Sequence, residues 1–199
     1  MAVCLQTERL ILREMSLDDL DFVAAMLADP EVMRFYPKCY SRDEAAVWIE
    51  RQQNRYAKHG HGLWLAVERD SQQPIGQVGL VIQRLEGIEE REVGYLVHRP
   101  FWRRGFALEG ARACRDFAFD RLDRQRVLAL IRPENVPSRG VASKLGMRPL
   151  PHSIVHSGFE HLVYAIERPN REDFADGGPD SAGKPAPDPS KIDAAAGTA

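Results

Sequence analysis

The chain has 199 residues, of which 44% are hydrophobic and 28% are charged, and its formal net charge is −2. This composition is typical of a globular domain with one sizeable core, and it excludes fibrous and membrane-protein classes. The balance of 27 basic and 29 acidic residues argues against a general nucleic-acid binder, which usually carries a clear basic excess. No apolar run approaches the roughly 20 residues of a spanning helix and no signal-peptide pattern precedes the domain, so we expect a cytoplasmic protein without a membrane partner.

The cysteines indicate reduced thiols rather than a disulfide framework. Cys4, Cys39 and Cys114 are odd in number, widely spaced and without a Cys-x-x-Cys pair. Cys114 falls in helical register with small apolar residues, which predicts a core position.

The first part of the chain reads as one strand followed by two helices. Residues 9–13 alternate as a strand. Ser16 with acidic residues behind it predicts a helix start leading into 20–27, and Ser41 predicts a second helix over 43–58.

Three strands are then predicted in a meander, over 63–68, 74–83 and 92–97, and the first two are joined by a polar turn. The third leads into Arg-Arg-Gly-Phe-Ala at 103–107, which we call the glycine turn, and a helix predicted over 107–122 follows it. The first N–H groups of a helix lack internal partners and carry the positive end of the macrodipole. A strand, a basic glycine turn and a helix in that order therefore suit a diphosphate. Taken alone, the same turn could simply be a solvent-exposed connection between a strand and a helix.

The remaining elements complete a mixed pattern. A strand at 127–131 precedes turn-forming residues and a short capped helix within 135–147. Strand-like segments follow at 153–156 and 161–166. This order of elements favours a single α+β domain. Helices come early, an antiparallel stretch lies in the middle, and helices alternate with strands later.

Residues 170–199 differ in composition from everything before them. They are rich in Gly, Pro, Ala, Ser and Asp and nearly lack large apolar side chains. We expect a disordered tail here and a domain over residues 1–169.

The glycine turn and the segment 135–147, in this order and at this separation, resemble the paired coenzyme A motifs of the GNAT-type N-acetyltransferase superfamily. Residues 7–13, 29–33 and 75–80 further resemble the branch that acetylates ribosomal-protein N-termini. The resemblance implies a GNAT-type domain: a central mixed, mostly antiparallel sheet, flanked by helices, whose two central strands splay apart to admit acetyl-CoA.

The resemblance also implies which residues contact acetyl-CoA, at the strand end, in the glycine turn and in the second motif: Leu96, Val97, His98, Arg103, Arg104, Gly105, Phe106, Ala107, Asn135 and Ser138. One departure is Trp102, where the family motif usually opens with Gln or Arg. Backbone amides would do most of the binding, so this departure matters little.

For catalysis the resemblance implies Ser138 and Glu92. Many family members place a tyrosine acid where this chain has Ala142, whereas the N-terminal acetyltransferase branch uses a serine at the position of Ser138. A hydroxyl at a helix N-terminus could stabilise a thiolate. Glu92 stands where the family often has a carboxylate base acting through water. The alternatives are that Asn135 and Ser138 only cap a helix and that Glu92 is a salt-bridged or solvated strand residue.

The expected acceptor is a primary amine, either a protein N-terminus or a small molecule. An α-amino group, with a pKa of roughly 7.7 to 8.0, needs less base catalysis than a lysine near 10.4. Phe35, Tyr36 and Trp64 could line an acceptor groove, although the alternating context of Trp64 favours the core.

The sequence leaves one alternative function open. A non-catalytic acyl-CoA-binding or regulatory module remains the alternative, because the tyrosine acid is missing. A dinucleotide enzyme is disfavoured because Gly-x-Gly-x-x-Gly is absent. His59 and His61 are read as loop residues rather than metal ligands, so no metal is expected. The protein could be a monomer or a homodimer.

Overall fold

The computed structural model describes residues 2–85 and 87–169, and the predicted tail at 170–199 lies outside them. Eight strands lie in the described part of the chain: β1 (Val3–Gln6), β2 (Leu10–Arg13), β3 (Leu63–Glu68), β4 (Pro74–Leu85), β5 (Ile88–Val97), β6 (Arg126–Ile131), β7 (Arg148–His156) and β8 (Phe159–Glu167). Four α-helices accompany them: α1 (Leu20–Ala28), α2 (Arg42–His59), α3 (Phe106–Asp120) and α4 (Val136–Lys144). Among the described residues, no helix combines the length and apolarity needed to cross a membrane.

The strands form one open sheet in the order β1-β2-β3-β4-β5-β6-β8-β7. Every neighbouring pair is antiparallel except β5 and β6. β4 and β5 share ten register pairs, whereas β5 and β6 share only Glu92 with Leu128. Beyond that pair the two strands separate, which confirms the predicted α+β GNAT-type fold with splayed central strands. We call the opening between them the cleft.

The helix starts follow the predicted capping signals. Ser41 and Glu44 form a capping box at the start of α2. Ser16 and Asp19 form another, but it caps a 3-10 turn (Leu17–Asp19) that leads into α1. Reciprocal bonds of this kind satisfy backbone N–H groups that the first helical turn leaves without partners.

Helices cover both faces of the sheet. On β3, Trp64 and Ala66 pack into the cluster that includes α3 and α4, whereas Leu63 and Leu65 pack into the cluster that includes α1 and α2. This follows from the two-residue repeat of a strand buried on both faces. Trp64 is 1% exposed and packs edge-on against the ring of Phe117, so its predicted core role is confirmed.

Cys114 is fully buried on α3. Burial raises the pKa of its thiol, so the predicted core role is confirmed and the group stays protonated near neutral pH.

The predicted elements differ from the structure mainly at their ends. β5 begins at Ile88 and β7 at Arg148, each earlier than predicted. β1 was not predicted at all. It is a four-residue edge strand that pairs with β2 alone, and so short a segment carries little periodicity.

Candidate active site

Glu92 lies where β5 and β6 begin to separate. Gln83 Nε2 donates to Glu92 Oε2 at 2.6 Å, and the backbone N–H of Leu130 on β6 donates to Glu92 Oε1 at 3.4 Å. The carboxyl group therefore reaches across the start of the cleft. Glu92 pairs in register with Val81 of the α1/α2 cluster, which places its side chain on that face of the sheet.

The environment of Glu92 changes its acidity. Burial raises the pKa of the Glu92 carboxyl to about 7, although hydrogen bonds from Gln83 and Leu130 and the charge of Arg55 act in the opposite direction. A carboxyl group with this pKa is partly ionised near neutral pH and can take up a proton there. The reading of Glu92 as a salt-bridged residue is not supported, because its described hydrogen bonds come from an amide side chain and a backbone N–H.

Two tyrosines lie close enough to Glu92 for its charge to act on them. Tyr36 is 36% exposed, but desolvation of its hydroxyl, followed by the charge of Glu92, raises the pKa of Tyr36 to about 12. Burial also raises the pKa of Tyr95, whose hydroxyl donates to the backbone carbonyl of Ser138 at 3.0 Å. Tyr95 packs against the α3/α4 cluster, on the opposite face from Glu92.

The role of Tyr95 was not predicted from the sequence. The bond to Ser138 spans 43 positions of chain and depends on the angle at which the strands separate. The only sequence signal was its odd spacing from Glu92 on one strand, which places the two side chains on opposite faces.

Asn135 caps α4 through its side chain. Its Oδ1 accepts from the backbone N–H of Ser138 at 3.2 Å. The side-chain cap of α4 is therefore Asn135 and not Ser138. Ala142, at the position of the family's tyrosine acid, is fully buried.

The glycine turn presents free backbone donors. Arg103 and Gly105 both have positive φ, at 60° and 85°, and Gly105 is the N-cap of α3 without a side-chain cap. Within the described ranges, no acceptor takes the N–H groups of residues 103–108. Successive unpaired N–H groups at a helix start form a concave anion site.

The side chains of the turn divide between two tasks. Arg104 donates to Glu68 on β3 at 2.7 Å and lies over the ring of Phe106 at 4.9 Å. Phe106 is 2% exposed and belongs to the core. Arg103 is exposed and has no ion pair within the part of the chain that the structure describes. Of the two arginines, Arg103 is therefore the one whose charge is available to a ligand.

The end of β5 is connected to the same turn. Trp102 Nε1 donates to the carbonyl of Val97 at 2.6 Å, and the N–H of His98 donates to Ile75 on β4 at 2.8 Å. The His98 ring packs edge-on against Phe22 of α1, and Leu96 is 9% exposed in the core. Any contact from this strand end to pantetheine would therefore use backbone groups on the β6 side.

The histidine pair 59/61 agrees with the prediction of loop residues only in part. His59 is the last residue of α2, whereas His61 lies in the loop before β3. His61 is nevertheless 2% exposed, with Nδ1 3.0 Å from the carbonyl oxygen of Leu80. Burial lowers the pKa of His61.

The chain is similar to known acetyltransferases over most of its length. Residues 9–148 match the family described as the acetyltransferase (GNAT) domain. The uncharacterized protein YkkB of Bacillus subtilis is 34% identical over 144 residues, which are 72% of this chain and 84% of that protein.

Solved structures agree with this assignment. An acetyltransferase from Agrobacterium tumefaciens is 27% identical, with a TM-score of 0.73 over 82% of this chain and 94% of that one. The ribosomal-protein-S5-alanine acetyltransferase of Vibrio fischeri shares the fold at 16% identity, with a TM-score of 0.65 over 83% and 97% of the two chains. This chain therefore belongs to the GNAT acetyltransferases, and it is an acetyl-CoA-dependent acyltransferase.

Proposed function

We propose that the protein transfers an acetyl group from acetyl-CoA to a primary amine by direct attack in a ternary complex. The observation that carries this proposal is the Glu92 carboxyl, with a pKa of about 7, at the start of the cleft. Ser138 and Tyr95 lie on the other face of the sheet. A base on one face and a thiolate partner on the other suit two substrates that meet in the cleft.

The coenzyme would be held mainly by backbone groups. The free N–H groups of residues 103–108 and the charge of Arg103 suit a diphosphate. Within the described part of the chain, β5 beyond Glu92 has no strand partner on its β6 side, so backbone groups there suit the pantetheine amides. When bound, acetyl-CoA supplies the acetyl thioester.

Glu92 would prepare the acceptor. It takes a proton from the ammonium group, directly or through one water, and leaves a neutral amine. A base with a pKa of about 7 is nearly matched to an α-amine at roughly 7.7 to 8.0 and poorly matched to a lysine near 10.4. This favours an α-amine, such as a protein N-terminus, or a small-molecule amine of similarly low pKa.

Ser138 would serve the leaving group. As the amine forms its bond to the acetyl carbon, the bond from that carbon to sulfur breaks and negative charge develops on the sulfur. The Ser138 hydroxyl and the N-terminus of α4 can stabilise that charge, and the hydroxyl can pass to the sulfur the proton that the attacking nitrogen loses. Positioning alone removes the need for a covalent intermediate.

The test is thiol release from acetyl-CoA with a panel of peptide N-termini, polyamines and aminoglycosides, while thermal shift reports CoA binding. We expect turnover with α-amines and stabilisation by CoA. Stabilisation without turnover on any amine would instead support the non-catalytic module.

Ser138→Ala separates binding from catalysis. We expect it to lower kcat about tenfold to a hundredfold, because one stabilising donor is lost, while CoA still raises Tm. Ser143→Ala is the matched control, because Ser143 is exposed on the same helix. An equal loss in both variants would mean that α4 was damaged and would argue against a role for the hydroxyl.

A further inference from the structure

The segment at residues 7–13 has no role in the proposed chemistry, yet its side chains reach the glycine turn and the start of α3. Thr7 Oγ1 donates to Glu109 Oε1 at 2.6 Å, and the Arg9 N–H donates to the same oxygen at 2.8 Å. Arg9 Nε and Nη2 lie 2.7 and 2.6 Å from Glu109 Oε2. We call Thr7, Arg9 and Glu109 the Arg9 clamp.

The clamp holds the turn as well as the helix. Glu109 lies in the first turn of α3, and Arg9 Nη1 donates to the carbonyl of Arg104 at 3.0 Å. The Arg9 guanidinium also lies 4.7 Å from the centre of the Phe106 ring. A methyl group added at Gly105 would come within 3.3 Å of Arg9 Nη2. One arginine therefore contacts the residues on both sides of Gly105.

The bond to the Arg104 carbonyl fixes the direction of a donor. In a trans peptide the C=O and N–H point in opposite directions, and the described residues contain no cis peptide bond. With its carbonyl turned to Arg9, the peptide between Arg104 and Gly105 directs the Gly105 N–H away from Arg9. Glycine accepts φ of either sign, so without the clamp this peptide could flip and present its oxygen to the anion site.

We propose that Arg9 is a positioning residue for coenzyme binding, which holds the Arg104–Gly105 peptide with its N–H directed toward the diphosphate. This inference rests on the proposed function, because it assigns a role within the same coenzyme site. Arg9 itself does not touch the acetyl group or the amine. Its loss changes affinity for the nucleotide half of acetyl-CoA and leaves the chemical step intact.

The supporting contacts explain why an arginine is used. Arg9 directs Nε and Nη2 toward Glu109 Oε2 and Nη1 toward the Arg104 carbonyl, which lysine cannot do from one ammonium group. Partial burial by itself would raise the pKa of Glu109, but the bonds from Thr7 and Arg9 lower it below its ordinary value. The Glu109 carboxylate thus stays charged and keeps the Arg9 guanidinium in place.

The experiment compares two acetyl donors with full-length Arg9→Ala. Acetyl-CoA contains the diphosphate, and S-acetylpantetheine does not. We expect KM for acetyl-CoA to rise about tenfold, with kcat changed less than about twofold, because charge-assisted bonds that order the turn are lost. For S-acetylpantetheine, kcat/KM should be unchanged. Arg168→Ala, which removes ion pairs with Asp120 and Asp123 elsewhere on the domain, is the control and should alter neither donor.

Two results would overturn the inference while the enzyme itself stays active. One is an equal loss with both donors, which means general damage to the fold, and the other is no loss with acetyl-CoA. Should Arg9→Ala not fold, Glu109→Gln keeps the side-chain shape and should raise KM for acetyl-CoA alone by about threefold. A wild-type protein that neither binds CoA nor releases thiol would overturn the proposed function and, with it, the role of Arg9.

Discussion

The two edges of β5 differ strongly in how far they pair with neighbouring strands. Toward β4 the strand has ten register pairs, and toward β6 it has one. The first edge gives the strand a fixed position, and the second leaves backbone groups for a ligand. A strand can present an open edge to a substrate when its other edge holds it rigidly.

The paired edge leaves no room for a side chain at Gly76 of β4. A methyl group added there would lie 2.3 Å from the carbonyl oxygen of Leu96 on β5. The open edge is bridged instead by side chains, namely Glu92 to Leu130 at its start and Tyr95 to Ser138 farther along. The comparison predicts different consequences for mutations on the two edges.

The largest expected effect is on catalysis at the open edge. Glu92→Gln keeps the shape of the side chain but cannot take up a proton, so kcat should fall about a hundredfold or more. In the wild type, kcat/KM should rise as the pH increases through about 7, because the ionised form is the base. That rise should be absent in the variant. A variant that keeps both its rate and its pH dependence would remove Glu92 from the mechanism.

Glu92→Gln should lower activity but raise thermal stability at high pH. The folded pKa of Glu92 is raised above its ordinary value, so its contribution to stability is present at low pH and is lost as pH rises through about 7. Glu92→Gln should therefore have a higher Tm than the wild type at pH 8, with little difference at pH 4. Thermal unfolding at the two pH values measures this.

The next effect is on folding at the paired edge. Gly76→Ala should destabilise the protein by about 2 kcal/mol, or roughly 4–8 °C in Tm, because the new methyl group meets the backbone of β5, which cannot move freely. Gly140→Ala in α4 is the matched control, since nothing lies within 4 Å of its added methyl group. The control should stabilise by about 0.5–1 kcal/mol through helix propensity. Equal destabilisation in both would contradict the contrast between the edges.

The smallest effect concerns the hydrogen bond from Tyr95 to the Ser138 carbonyl, which we call the Tyr95 bridge. Tyr95→Phe removes one hydrogen bond across the cleft, so kcat/KM should fall about fivefold, corresponding to about 1 kcal/mol. Tyr164→Phe is the control. The Tyr164 hydroxyl also bonds to α4, because it accepts from Arg139, but Tyr164 lies on β8 and not on β5. If the control loses as much kcat/KM as Tyr95→Phe, the bridge only anchors α4 and has no special role in the cleft.

Much of the site could be predicted where the signal is local. The glycine turn and the Asn135 cap depend on a few adjacent residues, and backbone conformation there follows from residue type. The sequence could not predict that Arg104 forms an ion pair while Arg103 stays available to a ligand, since both are basic residues beside the same glycine. The partner of Arg104 is Glu68, which lies 36 positions earlier in the chain.

The sequence by itself determined the order of helices and strands apart from β1, because periodicity, caps and turns are properties of short segments. The family followed from the resemblance of two such segments to known motifs. Tertiary structure alone decided the raised pKa of Glu92, the Tyr95 bridge and the contact of Arg9 with the Arg104 carbonyl. Each of these depends on desolvation or on bonds between groups far apart in the chain. Such groups meet only after the sheet has formed and its central strands have separated.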